Sequence, residues 1–396
     1  MFAILLTENY KAMTKKTIHI EAIDTLFFRD GKPFSMGEDV WAEGVFPPLP
    51  SVIYGALRSA YAFQQISKSE KTFDKAIEES GNLQIHNIYL LTDKQASFPF
   101  PQDLIKFKNP QNGRKIYFLA KKDFQYSSAN SSTLLMLDES LKSEKLDELS
   151  GTGFLPKNDF EEYLLANQKD VKNVRKISEY ITSEPKIGIG RDNETRTTSG
   201  DAEGKMYRVG MQRLEKWSEN HKIRLAIVIS GLDGLDDSGI IKFGADGKTV
   251  KYGIGTEYVF KLESNDIQTN ELKLYLSTPC IFQNKEQGKG NLPQWLIDKN
   301  FDGIFVDLIT SAIGKAQYVG GFDMQAQKPK QMFKAVPAGS VYYLQTKTLD
   351  DARALAKKLQ SKSSIAENGS LSTENFAEQG FGKFYLGLVQ SQINFQ

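Results

Sequence analysis

The sequence predicts an α+β fold of two domains, each with a pair of helices on one face of an antiparallel sheet. The chain has 396 residues, too many for one ordinary hydrophobic core, so two domains are the default. The element order strand, helix, strands, helix, strand is found twice, with long insertions. Apolar residues make up 40% and charged residues 25%, the proportions of an ordinary globular protein.

The first half begins with a predicted strand over residues 17–29, where β-branched and aromatic residues alternate with polar ones. A proline-rich loop leads to Ser51, a predicted N-cap, and to a helix over residues 52–65. Residues 98–104 contain too many prolines for a central strand. The other elements predicted in this half are a strand over residues 84–91 and short helices over residues 160–166 and 174–181.

The second half begins with a predicted strand over residues 222–230, which has a nearly continuous apolar end. The clearest helix covers residues 349–362, because Leu349, Ala352, Leu355 and Leu359 form one apolar stripe. Further strands are predicted over residues 271–282, 303–309 and 341–345, and within the closing segment 380–389.

We place an N-terminal domain at residues 17–213 and a C-terminal domain at residues 214–396, after an extension of residues 1–16. The opening residues lack the basic leader and long apolar core of a signal peptide, and no apolar run approaches the ~20 residues of a membrane span. The single cysteine, Cys280, excludes an internal disulfide and a cysteine-clustered zinc site. These features predict a cytoplasmic protein without a membrane partner.

The segment from residue 186 to residue 208 combines glycines with basic residues. Lys186, Gly188, Gly190, Arg191 and Arg196 lie in its first half. Glycine lets the main chain approach a ligand closely, and arginine offers a planar, permanently charged fork that suits phosphate. The segment therefore predicts a main-chain cradle for an anion, with a polyanion as the most interesting occupant.

Ser51, Gly55 and Arg58 lie at the start of the first predicted helix, directly after the prolines. A helix start presents unpaired N–H groups and the positive end of the helix dipole, which favour phosphate. Arg58 could reach a phosphate or simply cap a surface, so a functional and a structural interpretation are equally open.

Gly380, Phe381, Gly382 and Lys383 precede the last predicted strand. The glycines permit a tight loop, and the aromatic residues of this segment could stack on nucleic-acid bases. The alternative is a hairpin turn that leads into a buried strand, and both interpretations stay open.

Several classes of site are excluded or disfavoured. No Gly-Lys pair has phosphate-loop spacing, and no complete dinucleotide fingerprint is present, so a small-nucleotide enzyme is disfavoured. The three histidines, His19, His86 and His221, show no metal-ligand spacing, and no metal or cofactor is predicted. The net charge of +1, from 50 basic and 49 acidic residues, argues against binding nucleic acid merely through a basic surface. A local basic groove remains compatible with this balance.

Five blocks in this order resemble the RAMP superfamily, and most closely the third subunit of the Cmr module in type III-B CRISPR effector complexes. The blocks are LFFRDGKPF, PPLPSVIYGALRSA, FPFPQDL, PKIGIGRDNETRTTSGDAEGKMYRV and GFGKFYLG. The resemblance covers residues 17–389. It implies two ferredoxin-like (RRM-type, βαββαβ) domains with long insertions.

The resemblance also implies a non-catalytic subunit that grips the 5′ tag of the CRISPR RNA and contacts target RNA only indirectly. Its expected protein partners are the large polymerase/cyclase-like subunit and the backbone RAMP subunits. By position, Ser51, Gly55 and Arg58 match an RNA-facing helix start. Residues 186–196 match the family's central loop, and Gly380, Gly382 and Lys383 match its glycine-rich loop.

Two rival hypotheses remain. Some RAMP proteins are metal-independent endoribonucleases that process CRISPR RNA with a histidine near the start of the chain as general base. His19 would be that residue here, although it lies within a predicted strand. The other rival is a protein-only scaffold, in which the basic glycine segment meets a neighbouring protein instead of RNA.

Overall fold

The computed structural model describes most of the chain, and the statements below concern these residues only. They are residues 14–29, 41–69, 71–108, 116–123, 133–137, 145–147, 149, 151–167, 171–189, 206–216, 221–282, 290–323, 327–367 and 375–389. Five α-helices are α1 Pro50–Lys68, α2 Phe73–Glu79, α3 Lys157–Leu164, α4 Gln294–Ile297 and α5 Leu349–Gln360.

Sixteen strands precede residue 255. They are β1 Lys16–Ala22, β2 Trp41–Glu43, β3 Gln84–Thr92, β4 Gln95–Pro99, β5 Leu104–Lys106, β6 Ile116–Phe118, β7 Ala120–Asp123, β8 Thr133–Met136, β9 Gly153–Pro156, β10 Arg175–Lys176, β11 Thr182–Ile189, β12 Met206–Arg213, β13 Glu215–Lys216, β14 His221–Ser230, β15 Ser238–Lys242 and β16 Thr249–Ile254. Nine follow: β17 Glu271–Leu276, β18 Asn300–Phe301, β19 Ile304–Ala312, β20 Gln317–Val319, β21 Phe322–Asp323, β22 Lys328–Pro329, β23 Phe333–Ala335, β24 Val341–Thr346 and β25 Phe384–Leu388.

The larger sheet has nine strands in the order β10-β9-β4-β3-β14-β1-β16-β15, with β13 paired to β14. Its pairings are antiparallel. Within it, β3-β14-β1-β16 has the 2-3-1-4 order of a ferredoxin-like sheet, and α1 connects β1 to β3. A loop and the short β15 connect β14 to β16, where a second helix was expected.

The smaller sheet has five strands in the order β18-β19-β24-β17-β25, and its pairings are antiparallel. The strands β19-β24-β17-β25 repeat the 2-3-1-4 order. Helix α5 connects β24 to β25, whereas the short α4 lies between β17 and β19. The predicted α+β class with antiparallel sheets is confirmed. Each sheet has one long crossover helix instead of the predicted pair.

The layers of the molecule follow from the way successive side chains of each strand point to opposite faces of its sheet. Ile18 and Ile227 face α1, which buries Ile53 and Leu57 against them. The opposite face of the larger sheet meets α3 and the smaller sheet in an aromatic core, where the rings of Phe98 and Phe160 stack 4.1 Å apart. The far face of the smaller sheet packs against the apolar stripe of α5. The order of layers is therefore α1, larger sheet, aromatic core, smaller sheet and α5.

The structure refines several predicted elements. Helix α1 begins at Pro50 with Leu49 as N-cap, so the prediction of Ser51 as N-cap was wrong. Proline at the first helical position explains the shift, because its fixed φ suits a helix start and its missing N–H costs nothing there. Residues 174–181 form β10 and a 3₁₀ turn rather than a helix. Phe98 belongs to β4, which lies between β3 and β9 inside the sheet and ends at Pro99.

The predicted strand over residues 17–29 ends at Ala22, and Leu26 and Arg29 make only isolated bridges. The division of the chain at residue 213 stays a prediction. The larger sheet continues across that division, because β14 lies between β1 and β3. Residues 1–13 of the predicted extension lie outside the described residues.

Candidate nucleic-acid interface

The first residues of the predicted central loop form a strand. Lys186 and Gly188 belong to β11, which pairs with β12 so that Ile187 lies opposite Arg208 and Gly188 opposite Tyr207. The expectation of a loop from residue 186 onward was therefore wrong for these residues, since cross-strand pairing occupies their backbone. Gly190, Arg191 and Arg196 lie outside the described residues.

The β11–β12 hairpin is held against the larger sheet and its neighbouring turn. The Lys186 ammonium group pairs with the carboxylate of Asp246, in the turn between β15 and β16. At the other end of the hairpin, Arg213 pairs with Glu184 on the facing strand. These contacts place Lys186 beside the turn that contributes to the groove described next.

A groove with a volume of about 820 Å³ runs along the exposed side of α1. Ser51, Gly55, Ser59 and Phe63 line it at intervals of four residues, which places them on one face of the helix. Gly55 leaves open space, because a Cβ atom added there would meet nothing within 4 Å. The predicted residues Ser51 and Gly55 therefore share one open surface.

The opposite wall of the groove comes from β15 and from the segment around Arg29. Arg29 and Lys242 contribute exposed positive charges there, and Ile240 is 65% exposed. On the α1 side, Phe63 is 58% exposed. The sequence reasoning missed these four residues. The one signal that could have found Phe63 is its four-residue spacing from Ser59, Gly55 and Ser51, off the apolar stripe of the helix.

Arg58 points away from this groove. Its guanidinium group donates to Ser80 Oγ at 2.9 Å and to the carbonyl of Ile77 at 2.9 Å, and it lies 5.5 Å from the ring centre of Tyr54. These contacts attach α1 to α2 and the turn after it. The structure therefore separates Arg58 from Ser51 and Gly55, although all three lie within two turns of one helix.

The terminal glycine loop is buried. Phe381 is 0% exposed and packs edge-on against Phe376, so the suggestion that its ring stacks on a base was wrong for this conformation. Gly380 and Gly382 have φ of +98° and +65°, values that favour glycine. The loop reaches the start of α1, because Leu49 packs against the same apolar cluster as Phe381.

Lys383 is only 2% exposed, so it is not available to a phosphate in this conformation. Its Nζ donates to the carbonyl of Ala377 at 3.0 Å, and its backbone N–H donates to Thr278 Oγ1 at 2.9 Å. Burial, with a smaller contribution from Lys15, lowers the pKa of Lys383 to about 7. This lysine serves the packing of the loop.

The buried Lys383 makes stability depend on pH. Its folded-state pKa of about 7 lies below the ordinary 10.5, so between these values the unfolded chain binds more protons and stability rises with pH. We expect Lys383→Met to remove up to about 1.4 kcal/mol of this rise per pH unit between pH 7.5 and 9.5. Denaturant unfolding at several pH values measures it. The exposed-site control Lys357→Met should keep the wild-type slope, and equal slopes in all three proteins would contradict the assignment.

The three histidines have different partners. His19 Nε2 is buried without a hydrogen-bond partner, and burial lowers the pKa of this residue. His86 Nε2 lies 2.7 Å from Ser230 Oγ, and burial, with Lys15 and Lys383 nearby, lowers its pKa to about 4. His221, the first residue of β14, has its Nδ1 3.5 Å from the carboxylate of Asp93.

In the described part of the chain, no group of three or more histidine, cysteine, aspartate or glutamate side chains could hold a metal ion. The carboxylates of Asp236 and Asp237 pair with the ammonium groups of Lys68 and Lys16. Among the described helices, none is long and apolar enough to cross a membrane.

Comparison with known proteins gives one family match. The family model described as CRISPR-associated protein (Cas_Cmr3) matches residues 18–389. The comparison with curated proteins gives no match.

Solved structures with a similar chain come from CRISPR complexes. One, from the type III-B Cmr-beta complex bound to cognate target RNA, is 16% identical, with 90% of this chain and 91% of that chain covered and a TM-score of 0.48. Another, from the same complex with target RNA and AMPPnP, is 18% identical, with 88% and 89% covered and a TM-score of 0.44. A chain of the Csm3–Csm4 subcomplex of the type III-A complex is 12% identical, with 95% and 100% covered and a TM-score of 0.35.

Proposed function

Because this chain belongs to the Cas_Cmr3 family of CRISPR-associated proteins, we propose that it is a non-catalytic RNA-binding subunit of a type III-B CRISPR effector complex. In this role it grips the 5′ tag of the CRISPR RNA. It also joins the large polymerase/cyclase-like subunit to the backbone RAMP subunits, and it meets target RNA only through the guide. The groove along α1 is the observation that carries the RNA-binding part of the proposal.

The groove has the chemistry that single-stranded RNA requires. Small side chains at Ser51, Gly55 and Ser59 let a sugar-phosphate backbone approach the helix closely. Arg29 and Lys242 supply positive charge for phosphates, and the exposed ring of Phe63 offers an apolar face to a base. This arrangement places local charge on a chain whose net charge is only +1.

Lys186, the first residue of the central segment, lies close to this surface. Lys186 lies on the strand that leads into the segment with Arg191 and Arg196, and it pairs with Asp246. The neighbouring residue, Ala245, lines the groove. The proposal therefore brings two of the three predicted RNA-binding sites close together, at Ser51 and Gly55 and at Lys186. The terminal glycine loop, the third, supports the start of α1 from inside.

Two substitutions at Gly55 test the groove. Glu and Lys both fit there, because a Cβ atom meets nothing within 4 Å, and each should stabilise the helix by up to about 1 kcal/mol relative to glycine. We expect Gly55→Glu to weaken guide binding about tenfold or more through repulsion of phosphates. Gly55→Lys adds a side chain of similar bulk but opposite charge, so it should bind more tightly than Gly55→Glu, with a log–log salt slope steeper than that of wild type by about 0.7.

The measurement is the guide RNA that remains bound to the assembled complex as salt increases, together with thermal unfolding of each variant. Since the two variants have side chains of similar length and differ in charge, misfolding would affect both. Equal guide binding by the Glu and Lys variants would rule out the groove as an RNA site. Loss of the protein partners in both variants, with normal guide binding, would identify a protein-only scaffold.

The rival endoribonuclease has less support. His19 lies between Ala226 and Gly253 in the sheet, and its Nε2 is buried, so it cannot reach a ribose hydroxyl in this conformation. His86 is part-buried and hydrogen-bonded to Ser230. Cleavage of repeat RNA without metal, abolished by His19→Ala or His86→Ala, would nevertheless establish that activity.

A further inference from the structure

Residues 315–335, which we call the arm, form a lysine-rich segment of short paired strands between β19 and β24 of the smaller sheet. Strand β20 pairs with β23, and β21 pairs with β22 further out. Residues 324–326 lie outside the described part of the arm. The arm contains four lysines and one aspartate, whereas the whole chain has 50 basic and 49 acidic residues. The arm therefore carries a local excess of positive charge, although the charges of the whole chain nearly cancel.

The two faces of the β20–β23 pair differ in burial. Val319 is 3% exposed and Ala335 is 1% exposed, and with Phe333 they pack against the cluster that contains Phe376 and Phe381. On the outer face, Tyr318 is 60% exposed and lies directly opposite Lys334. The inner face fixes the arm to the domain, so the outer face is presented on a rigid support.

The outer surface combines rings and cations. Besides Tyr318, Phe322 is 50% exposed and Met332 is 46% exposed. Lys315, Lys328, Lys330 and Lys334 are exposed along the same segment. Apolar exposure alone would fit a protein partner, but an excess of three positive charges over 21 residues favours a polyanion. Interleaved aromatic and basic side chains are the combination that binds single-stranded nucleic acid.

We propose that the outer face of the arm binds a single-stranded stretch of RNA, separately from the groove along α1. Tyr318 provides the ring on which a base stacks, and Lys315 and Lys334 contact phosphates. The inference rests on the proposed function only for the source of the RNA, which would be the CRISPR RNA. The binding itself follows from the arm's charge and exposed rings.

A cavity links the arm to the other proposed RNA surface. Lys315 and Gln317 at the base of the arm line it together with Leu49 and Pro50 at the start of α1, and its volume is about 330 Å³. The base of the arm and the start of α1 therefore lie on the same cavity. Lys315 is exposed where it lines this cavity, so it can contact a phosphate of RNA bound at the base of the arm.

Fluorescence anisotropy of the full chain with a labelled oligouridylate of about 20 nucleotides tests the arm directly. We expect Tyr318→Ala to weaken binding about tenfold, because stacking on a ring is lost, and Tyr318→Phe to bind like wild type. Lys315→Ala combined with Lys334→Ala should lower the log–log salt slope by about 1.4, since two phosphate contacts disappear. Lys261→Ala combined with Lys357→Ala, which removes two exposed lysines elsewhere, should leave the slope unchanged.

Wild-type binding by Tyr318→Ala, or no binding by the wild-type chain itself, would overturn the inference. Normal RNA binding with reduced recovery of partner subunits would also overturn it and identify the arm as a protein contact. The outcomes separate the arm from the groove. If the arm variants bound RNA like wild type while Gly55→Glu bound more weakly than Gly55→Lys, the groove would remain an RNA site and the arm would not be one. Weakened oligouridylate binding with no difference between the Gly55 variants would support the arm and remove the groove.

Discussion

Replacing Asp103 with alanine is expected to lower the free energy of unfolding by about 3–5 kcal/mol. Asp103 is 0% exposed and lies between the two sheets. It accepts hydrogen bonds from Tyr163 Oη at 2.9 Å and from Tyr343 Oη at 2.7 Å, which belong to α3 and β24. The substitution leaves both hydroxyl groups buried without this acceptor, and unmade buried hydrogen bonds are costly.

The charge of Asp103 also matters to Lys273, which is 1% exposed and donates to the carbonyl of Tyr163 at 2.6 Å. Burial lowers the pKa of Lys273 to about 8, and the negative charge of Asp103 opposes this shift. Without Asp103, a protonated Lys273 is a buried cation that has lost the favourable interaction with this carboxylate. Asp103→Asn keeps a polar group and removes only the charge. Its free energy of unfolding should therefore lie between that of the wild type and that of Asp103→Ala.

Urea unfolding of the purified chain at pH 7 measures these differences. Asp350→Ala is the matched control, because its side chain is 94% exposed, and it should change stability by no more than about 0.5 kcal/mol. A loss below about 1 kcal/mol for Asp103→Ala would show that the polar cluster between the sheets does not hold them together.

Replacing Gly382 with alanine is the second large effect, with an expected loss of about 2–5 kcal/mol. Its φ is +65°, where an L-residue costs about 1–2 kcal/mol. An added Cβ atom would also lie 2.5 Å from the backbone nitrogen of Ala366 and 2.9 Å from Cys280 Sγ. Overpacking of this kind typically costs a further 1–3 kcal/mol.

Gly247→Ala separates the two contributions. Gly247 has the same φ of +65°, but a Cβ atom there would meet nothing within 4 Å. Its loss should therefore contain only the backbone cost of about 1–2 kcal/mol. Thermal and urea unfolding of both variants gives the comparison, and equal losses would mean that the loop around Gly382 adjusts without cost.

Local sequence patterns predicted the strongest elements of the fold. The helix over residues 349–362 and the strand over residues 222–230 are confirmed as α5 and β14, because each has a strong periodic or continuous apolar pattern. Residues 174–181 were assigned wrongly to a helix, since β10 pairs with β9 there. That pairing partner lies about twenty residues earlier in the chain, where a local pattern cannot reveal it.

The candidate site was predictable to a smaller extent. Ser51 and Gly55 were found because they follow a proline-marked helix start, and they line the groove. Arg29 and Lys242 were missed, because they are far apart in the sequence and only the folded chain brings them to the same wall. The burial of Phe381 was not predicted, because a glycine-rich segment with an aromatic residue has the same local sequence whether it is exposed or buried.

The sequence by itself determined the family, the element order and the blocks that could meet an anion. These depend on residue type and short-range spacing, which are properties of the chain before it folds. Only the tertiary structure decided which blocks are surface and which are core. It places Gly55 on an open groove, buries Lys383 behind the terminal loop, and presents Tyr318 with Lys334 on the arm. Burial and strand pairing join residues far apart in the sequence, so no local pattern contains them.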